Sequence, residues 1–233
     1  MTQANHTTNS TPALLNDDGT ASMATAIMMS HHGLRRDLQR FAIALDRVAS
    51  GDSSRIEALK DEWKNYRNTL HGHHEAEDKG LFPSLRSQHT AVAATIDALS
   101  ADHRRIDPLL ERADAAFTSL PSTEVASALV KELESLLGPH LATEEAELVP
   151  FLRPAKTFPA PATEADAELY AKGFSWAMHG VAPEVIEQVY KILPESLCAR
   201  LPAARAEFAA RCERVWGTAR AGATRTPIPT PEG

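Results

Sequence analysis

Apolar positions along the chain fall into four stretches of helical period. Ile27, His31, Leu34, Leu38, Phe41, Leu45 and Val48 recur at spacings of three and four, which is one face of a helix. Gly51-Asp52-Ser53-Ser54 ends it, and Ser54-Arg55-Ile56-Glu57 reads as a capping box opening the next helix. That second stripe runs through Leu59, Trp63, Tyr66, Leu70, His73 and Glu77 towards Phe82-Pro83. A third carries Ile96, Leu99, His103, Ile106, Leu110 and Phe117, with Pro108 inside it predicting a kink or a late helix start. After Pro121-Ser122-Thr123 a fourth carries Val125, Leu129, Leu133, Leu136, Leu137, His140 and Glu144, up to Pro150. Four amphipathic segments joined by short polar breaks predict an all-α fold, an up-down-up-down four-helix bundle over residues 22–153.

The flanks read differently. Residues 1–20 are rich in Thr, Asn and Ser without hydrophobic periodicity, the pattern of a disordered tail. Pro154, Pro159 and Pro161 mark a linker. Residues 163–217 then form a smaller C-terminal helical extension around Trp176, Val181, Val185, Val189 and Leu193, too small to stand alone and expected to pack on the bundle. Residues 218–233 read as a flexible tail.

Composition narrows the function classes. A formal charge of −7 argues against a nucleic-acid or anionic-membrane surface. No apolar run approaches the roughly 18–20 residues of a membrane helix, and the first residues lack the basic start and apolar core of a signal peptide. Cys198 and Cys212 show no C-x-x-C spacing and no disulfide framework. The expected location is the cytoplasm, with no nucleic-acid or membrane partner; the sequence leaves the oligomeric state open.

Histidine placement carries the chemistry. Of 10 histidines, those at His31-His32, His71/His73/His74, His103 and His140 fall in the four predicted helices. The segment from His73 to Pro83 aligns without gaps on that from His140 to Pro150. Both read His-x-x-x-Glu followed by a second acidic residue, with Pro ten residues after His. Residues four apart on a helix share a face, so one turn presents an imidazole and a carboxylate to the same point. The other two helices offer His31 and His103, each preceding four stripe positions (Leu34, Leu38, Phe41, Leu45; Ile106, Leu110, Ala113, Phe117) by 3, 7, 10 and 14 residues. Helices 1–2 and 3–4 are thus two copies of one unit. A lone histidine on an apolar face is usually a satisfied core residue. Burying two glutamates beside four histidines is costly without cations, however. Four nitrogens and two carboxylates suit two first-row metal ions, iron first, with manganese or zinc also compatible.

These residues resemble the hemerythrin-like, or HHE cation-binding, domain, of actinobacterial type. The resemblance rests on His31-His32-Gly33-Leu34-Arg35-Arg36-Asp37-Leu38, on Leu70-His71-Gly72-His73-His74-Glu75-Ala76-Glu77-Asp78 with Leu81-Phe82-Pro83, and on His140-Leu141-Ala142-Thr143-Glu144-Glu145. It implies a di-iron centre, oxo- or hydroxo-bridged, with His31 and His73 on one iron, His103 and His140 on the other, and Glu77 and Glu144 bridging. Oxygen-carrying hemerythrins use five histidines, including an H-x-x-x-H pair on the third helix. Here Asp107 follows His103 by four and Leu99 precedes it by four, so the set looks symmetric and reversible O₂ carriage is not implied.

Other residues near the site remain alternatives. His32 is the other first-helix candidate, out of phase with Leu34 and Phe41. His71 and His74 are expected to face solvent or a neighbouring helix, with His74 kept as an alternative ligand. Tyr66 either points at the cavity or is a core tyrosine. Glu75, Asp78 and Glu145 fall off the stripe, on the helix surface or supporting the ligands, and Arg35 and Arg36 are expected to be solvated or paired with Asp37. The function expected is binding or reaction with O₂, peroxide or nitric oxide, in sensing or detoxification, with peroxidase- or catalase-like turnover an open question. The alternative is an iron-sensing or iron-buffering module without turnover.

Overall fold

The computed structural model describes residues 13–217, and among them only helices and turns occur. In chain order these are α1 (Met23–Ala49), α2 (Ile56–Ala76), α3 (Phe82–Gln88), α4 (Ala93–Thr118), α5 (Glu124–Glu147), α6 (Glu164–Ala177), α7 (Pro183–Ile192), α8 (Glu195–Cys198) and α9 (Leu201–Trp216). Helices α1, α2, α4 and α5 are the four long stripes, and each packs against the next, with α5 closing back on α1. His31 lies in the first third of α1 and His73 near the end of α2, yet their rings are 5.2 Å apart. The two helices therefore run antiparallel, as an up-down-up-down bundle requires.

Several local expectations change. Helix α4 begins at Ala93 and continues through Pro108 to Thr118. The Ser54 capping box does not form: the Ser54 hydroxyl turns to Asp52 (2.6 Å), and the N-cap is Arg55. Residues 13–20, read from sequence as part of the tail, pack on the bundle. Leu14 is buried, and Asn16 donates to the Arg153 carbonyl (3.1 Å). The remainder of that segment and residues 218–233 lie outside the described residues.

An aromatic layer fills the bundle at one end. The Phe41 ring sits 5.1–5.6 Å from those of Trp63, Tyr66, Phe117 and Trp216, and Trp63 stacks on Phe117 at 4.3 Å. Each such pair adds roughly 0.5–1.5 kcal/mol beyond the area it buries. A smaller apolar cluster of Phe82, Leu85, Val92, Ile96, Leu99 and Leu148 lies beside His103, against whose ring Phe82 stacks.

The C-terminal helices cover a second face of α1. That face carries His32, Gly33, Arg36, Asp37 and Arg40, all buried. Asp37 is its hub: it accepts from Arg36 (2.8 and 3.0 Å), Arg40 (3.1 Å) and the Trp176 indole (2.7 Å). Burial pushes its carboxyl up, but Arg36 and Arg40 outweigh that and hold it at about 2. Residue 62 repeats the device on α2, where buried Glu62 meets Arg211 of α9 at 3.1 Å.

Asp37 therefore supplies stability above its unfolded pKa, about 3.8, that is lost as pH falls through about 2. The shift corresponds to about 2 kcal/mol. Asp37→Asn is expected to cost about 3 kcal/mol or more near neutral pH, because two buried guanidinium groups lose their counter-ion. Its loss is expected to shrink as the wild type is acidified, and equal melting curves for both proteins at neutral pH would refute the hub.

Candidate metal centre

Inside the bundle the four long helices converge on two groups of donors. One is His31, His73, Glu77 and Glu144; the other is His74, His103 and His140; within each group the candidate ligand atoms lie within 4.8 Å of one another. The glutamates tie the groups together. Glu77 reaches His73 Nε2 with one oxygen (3.0 Å) and His103 Nε2 with the other (3.5 Å). Glu144 Oε2 lies 3.3 Å from His31 Nε2 and 3.9 Å from His140 Nε2. Each carboxylate thus spans one imidazole from each group.

The acidic residue after each glutamate orients a histidine from the partner unit. Asp78 accepts from His103 Nδ1 (2.9 Å) and from Ser100 (2.8 Å). Glu145 faces His31 Nδ1 (3.0 Å) and is held by Arg35 at 2.5 Å. Such contacts fix the tautomer, leaving Nε2 as the free ligand atom. Asp102 stands 3.8 Å from His140 Nδ1. A π-helical turn, Glu77–Leu81, follows α2 at the first HxxxE unit, so Glu77 sits where the helix widens. Such single-turn bulges are frequent at functional sites.

Many buried polar atoms here have no partner in hydrogen-bonding geometry among the described residues. They include Nε2 of His31, His73, His103 and His140, both ring nitrogens of His74, both oxygens of Glu77 and one of Glu144. Buried polar atoms are satisfied in the great majority of cases, so a convergent set of orphans, all nitrogen or carboxylate oxygen, is a cation-binding donor set. The electrostatics agree. Burial and then the His31 charge push His73 down to about 4, and burial foremost takes His140 to about 4. Burial also favours the neutral acid at Glu77, reinforced by the neighbouring Glu144 charge. Burial opposes charge on His31 too, but Glu144 and Glu145 hold it up at about 9. Without a cation, protons compensate the buried carboxylates.

More than half of the chain, residues 22–152, matches the family model described as the hemerythrin HHE cation-binding domain. The chain belongs to that family. No curated protein and no solved structure gives a significant match. The hemerythrin domain is thus a cation-binding unit, and α6–α9 lie beyond its matched residues.

All six residues expected from the sequence as ligands meet in this centre. His74, expected to face solvent or a neighbouring helix and kept as an alternative ligand, is buried against the neighbouring helix and stacks on His103 with ring centroids 4.0 Å apart. The two donor groups therefore include five histidines, the fifth being the one kept as an alternative. His32 points out of the centre, its Nε2 3.3 Å from the His179 carbonyl. Tyr66 belongs to the aromatic layer, its hydroxyl buried without a hydrogen-bond partner. His71 is exposed, and Arg36 is buried and paired with Asp37, one of the two expected arrangements.

Ligation requires neutral imidazoles and ionised carboxylates. Cation uptake is therefore expected to release protons and to weaken as pH is lowered from about 8 to about 6. Calorimetry in buffers of different ionisation enthalpy reads the proton count; a buffer-independent heat would contradict it.

Proposed function

We propose that the hemerythrin domain holds two iron ions and handles a small redox ligand, O₂, peroxide or nitric oxide, in sensing or detoxification. The observation that carries this reading is the spanning of both histidine groups by Glu77 and by Glu144. His31 and His73 would hold one ion, His103 and His140 the other, and the two glutamates would bridge. His74 adds a third imidazole to the second ion, so the His31–His73 ion has fewer protein donors and is where an outside ligand would bind. Imidazole and carboxylate donors favour iron among first-row metals and leave manganese and zinc compatible.

A pair of irons supplies electrons to a bound diatomic or peroxide; the protein's own part is to fix donors and restrict entry. The side chains of His31, His73, Glu77, His103, His140 and Glu144 are at most 8% exposed, which suits a ligand of two or three atoms and not an organic substrate. Arg35 and Glu145 hold His31 in place, and Asp78 with Ser100 holds His103. An iron-sensing role without turnover is the second reading, favoured by the dense contact between α1 and the C-terminal helices.

Metal analysis of the purified chain, with its visible spectrum before and after peroxide, azide or nitric oxide, separates these readings. About two irons per chain and a spectrum that responds to these ligands are expected for the pair of bridged ions. A loaded but inert spectrum selects the sensing role, and failure to take up ferrous iron anaerobically overturns both. His73→Ala and Glu144→Ala are each expected to lower the iron content; full loading of both variants would refute the ligand assignment. Asp78→Asn is expected to keep the ions but weaken them roughly 10–100-fold, through the orientation of His103.

A further inference from the structure

Five residues of α1 that follow His31, namely His32, Gly33, Arg36, Asp37 and Arg40, face the C-terminal helices, not the metal centre. Their contacts converge on the end of α6. Arg36 Nη1 donates to the carbonyls of Trp176 (3.0 Å) and His179 (2.7 Å) where α6 ends. The Trp176 indole donates to Asp37, and His32 meets the same His179 carbonyl. Gly33 makes the approach possible: a Cβ there would lie 2.6–2.9 Å from three carbons of the Trp176 ring. Glycine inside a helix costs about 1 kcal/mol against alanine, so a mid-helix glycine under an indole marks a contact worth that cost.

On its other side the same turn is held by the centre. His31 faces Glu144 and Glu145, and Arg35 closes on Glu145. Successive helical residues differ by about 100° in direction, so His31 and His32 cannot be adjusted independently. A rotation that releases the extension also turns His31 away from Glu144. The matched family domain ends at residue 152, so the gripping groups belong to a part of the chain outside it.

We propose that the C-terminal helices are a working part of the metal centre, with Trp176 as a positioning residue for His31, so that docking of α6 and metal at the His31–His73 side strengthen each other. This rests on the two-ion reading above. The coupling is selective, because His74, His103 and His140 stand on α2, α4 and α5 and not on α1. Simple loss of fold stability would instead weaken both ions.

The test is an anaerobic titration of the full chain with ferrous iron, following the two binding steps separately. Trp176→Phe keeps a ring against Gly33 but removes the indole donor. It is expected to retain one ion at wild-type affinity and weaken the other roughly fivefold or more, the low end for coupled sites. Gly33→Ala is expected to do the same more strongly; if it fails to fold, Trp176→Phe still decides. Arg211→Gln opens the same interface at Glu62, away from His31, and is expected to lower the melting temperature without this selectivity. Because coupling is reciprocal, iron is also expected to slow amide exchange in α6 of the wild type. Equal weakening of both ions, unchanged binding in Trp176→Phe, or α6 exchange indifferent to iron each overturns the proposed coupling. A wild type that binds no iron overturns the two-ion reading beneath it, and that result is separable because it precedes any variant.

Discussion

Two glutamates at the centre of an apolar bundle set the terms for everything else in this structure. An ionised carboxylate in such a place is unfavourable by several kcal/mol unless positive charge or a metal compensates it. Glu77 and Glu144 are both within 2% of complete burial, and each touches imidazoles from two directions. The four long helices supply one or two histidines apiece at this level because the carboxylates must be answered from every side. The bundle and the site are in that sense one object: the stripe that packs the helices also delivers the donors.

How much of this was legible in the sequence depends on periodicity. The four helices and the six principal donors followed from spacings of three and four and from the repeated His-x-x-x-Glu unit. His74 entered only as an alternative, because a single-stripe criterion asks whether a residue points at one axis. Helix α2 lies between α1 and α4, so His73 turns towards His31 while its neighbour turns towards His103. A site built of two donor groups accepts both. Asp78 and Glu145 show the same geometry: off the stripe by one residue, each reaches a histidine on the adjacent helix.

The outer face of α1 was illegible for another reason. Arg36, Asp37 and Arg40 have the composition of a solvated surface, and pattern alone does not reveal a second layer over a helix. Residues 163–217 could be read as helical and as packing on the bundle, but not as packing there. The one local signal was Gly33, in a helix that otherwise has every reason to avoid glycine; its cause, the Trp176 ring, lies 143 residues away. Pairing charged residues with an indole and helix-end carbonyls makes that layer specific in register, where apolar packing alone would tolerate sliding.

The strength of such an interface limits what it can transmit. Metal binding can release on the order of 10 kcal/mol in structural sites, but only the part that differs between docked and undocked α6 reaches the extension. That part is carried by a few charge-assisted hydrogen bonds, each worth about 1.5–3 kcal/mol, and only their change on rotation of α1 counts. Coupling energies between sites typically come to about 1–3 kcal/mol. A complete switch from one arrangement to the other needs roughly 5.5 kcal/mol. On the proposed coupling, the Arg36–Asp37–Trp176 contact is sized for a graded response: the extension would tighten the centre when a cation is bound and loosen without detaching when it leaves. A chain whose task was on-off signalling would need either a weaker docked state to begin with or more contacts remade at α1. The buried Glu62–Arg211 pair and the Trp216 ring against Phe41 argue against the first. They hold α9 on the bundle independently of the turn that carries His31.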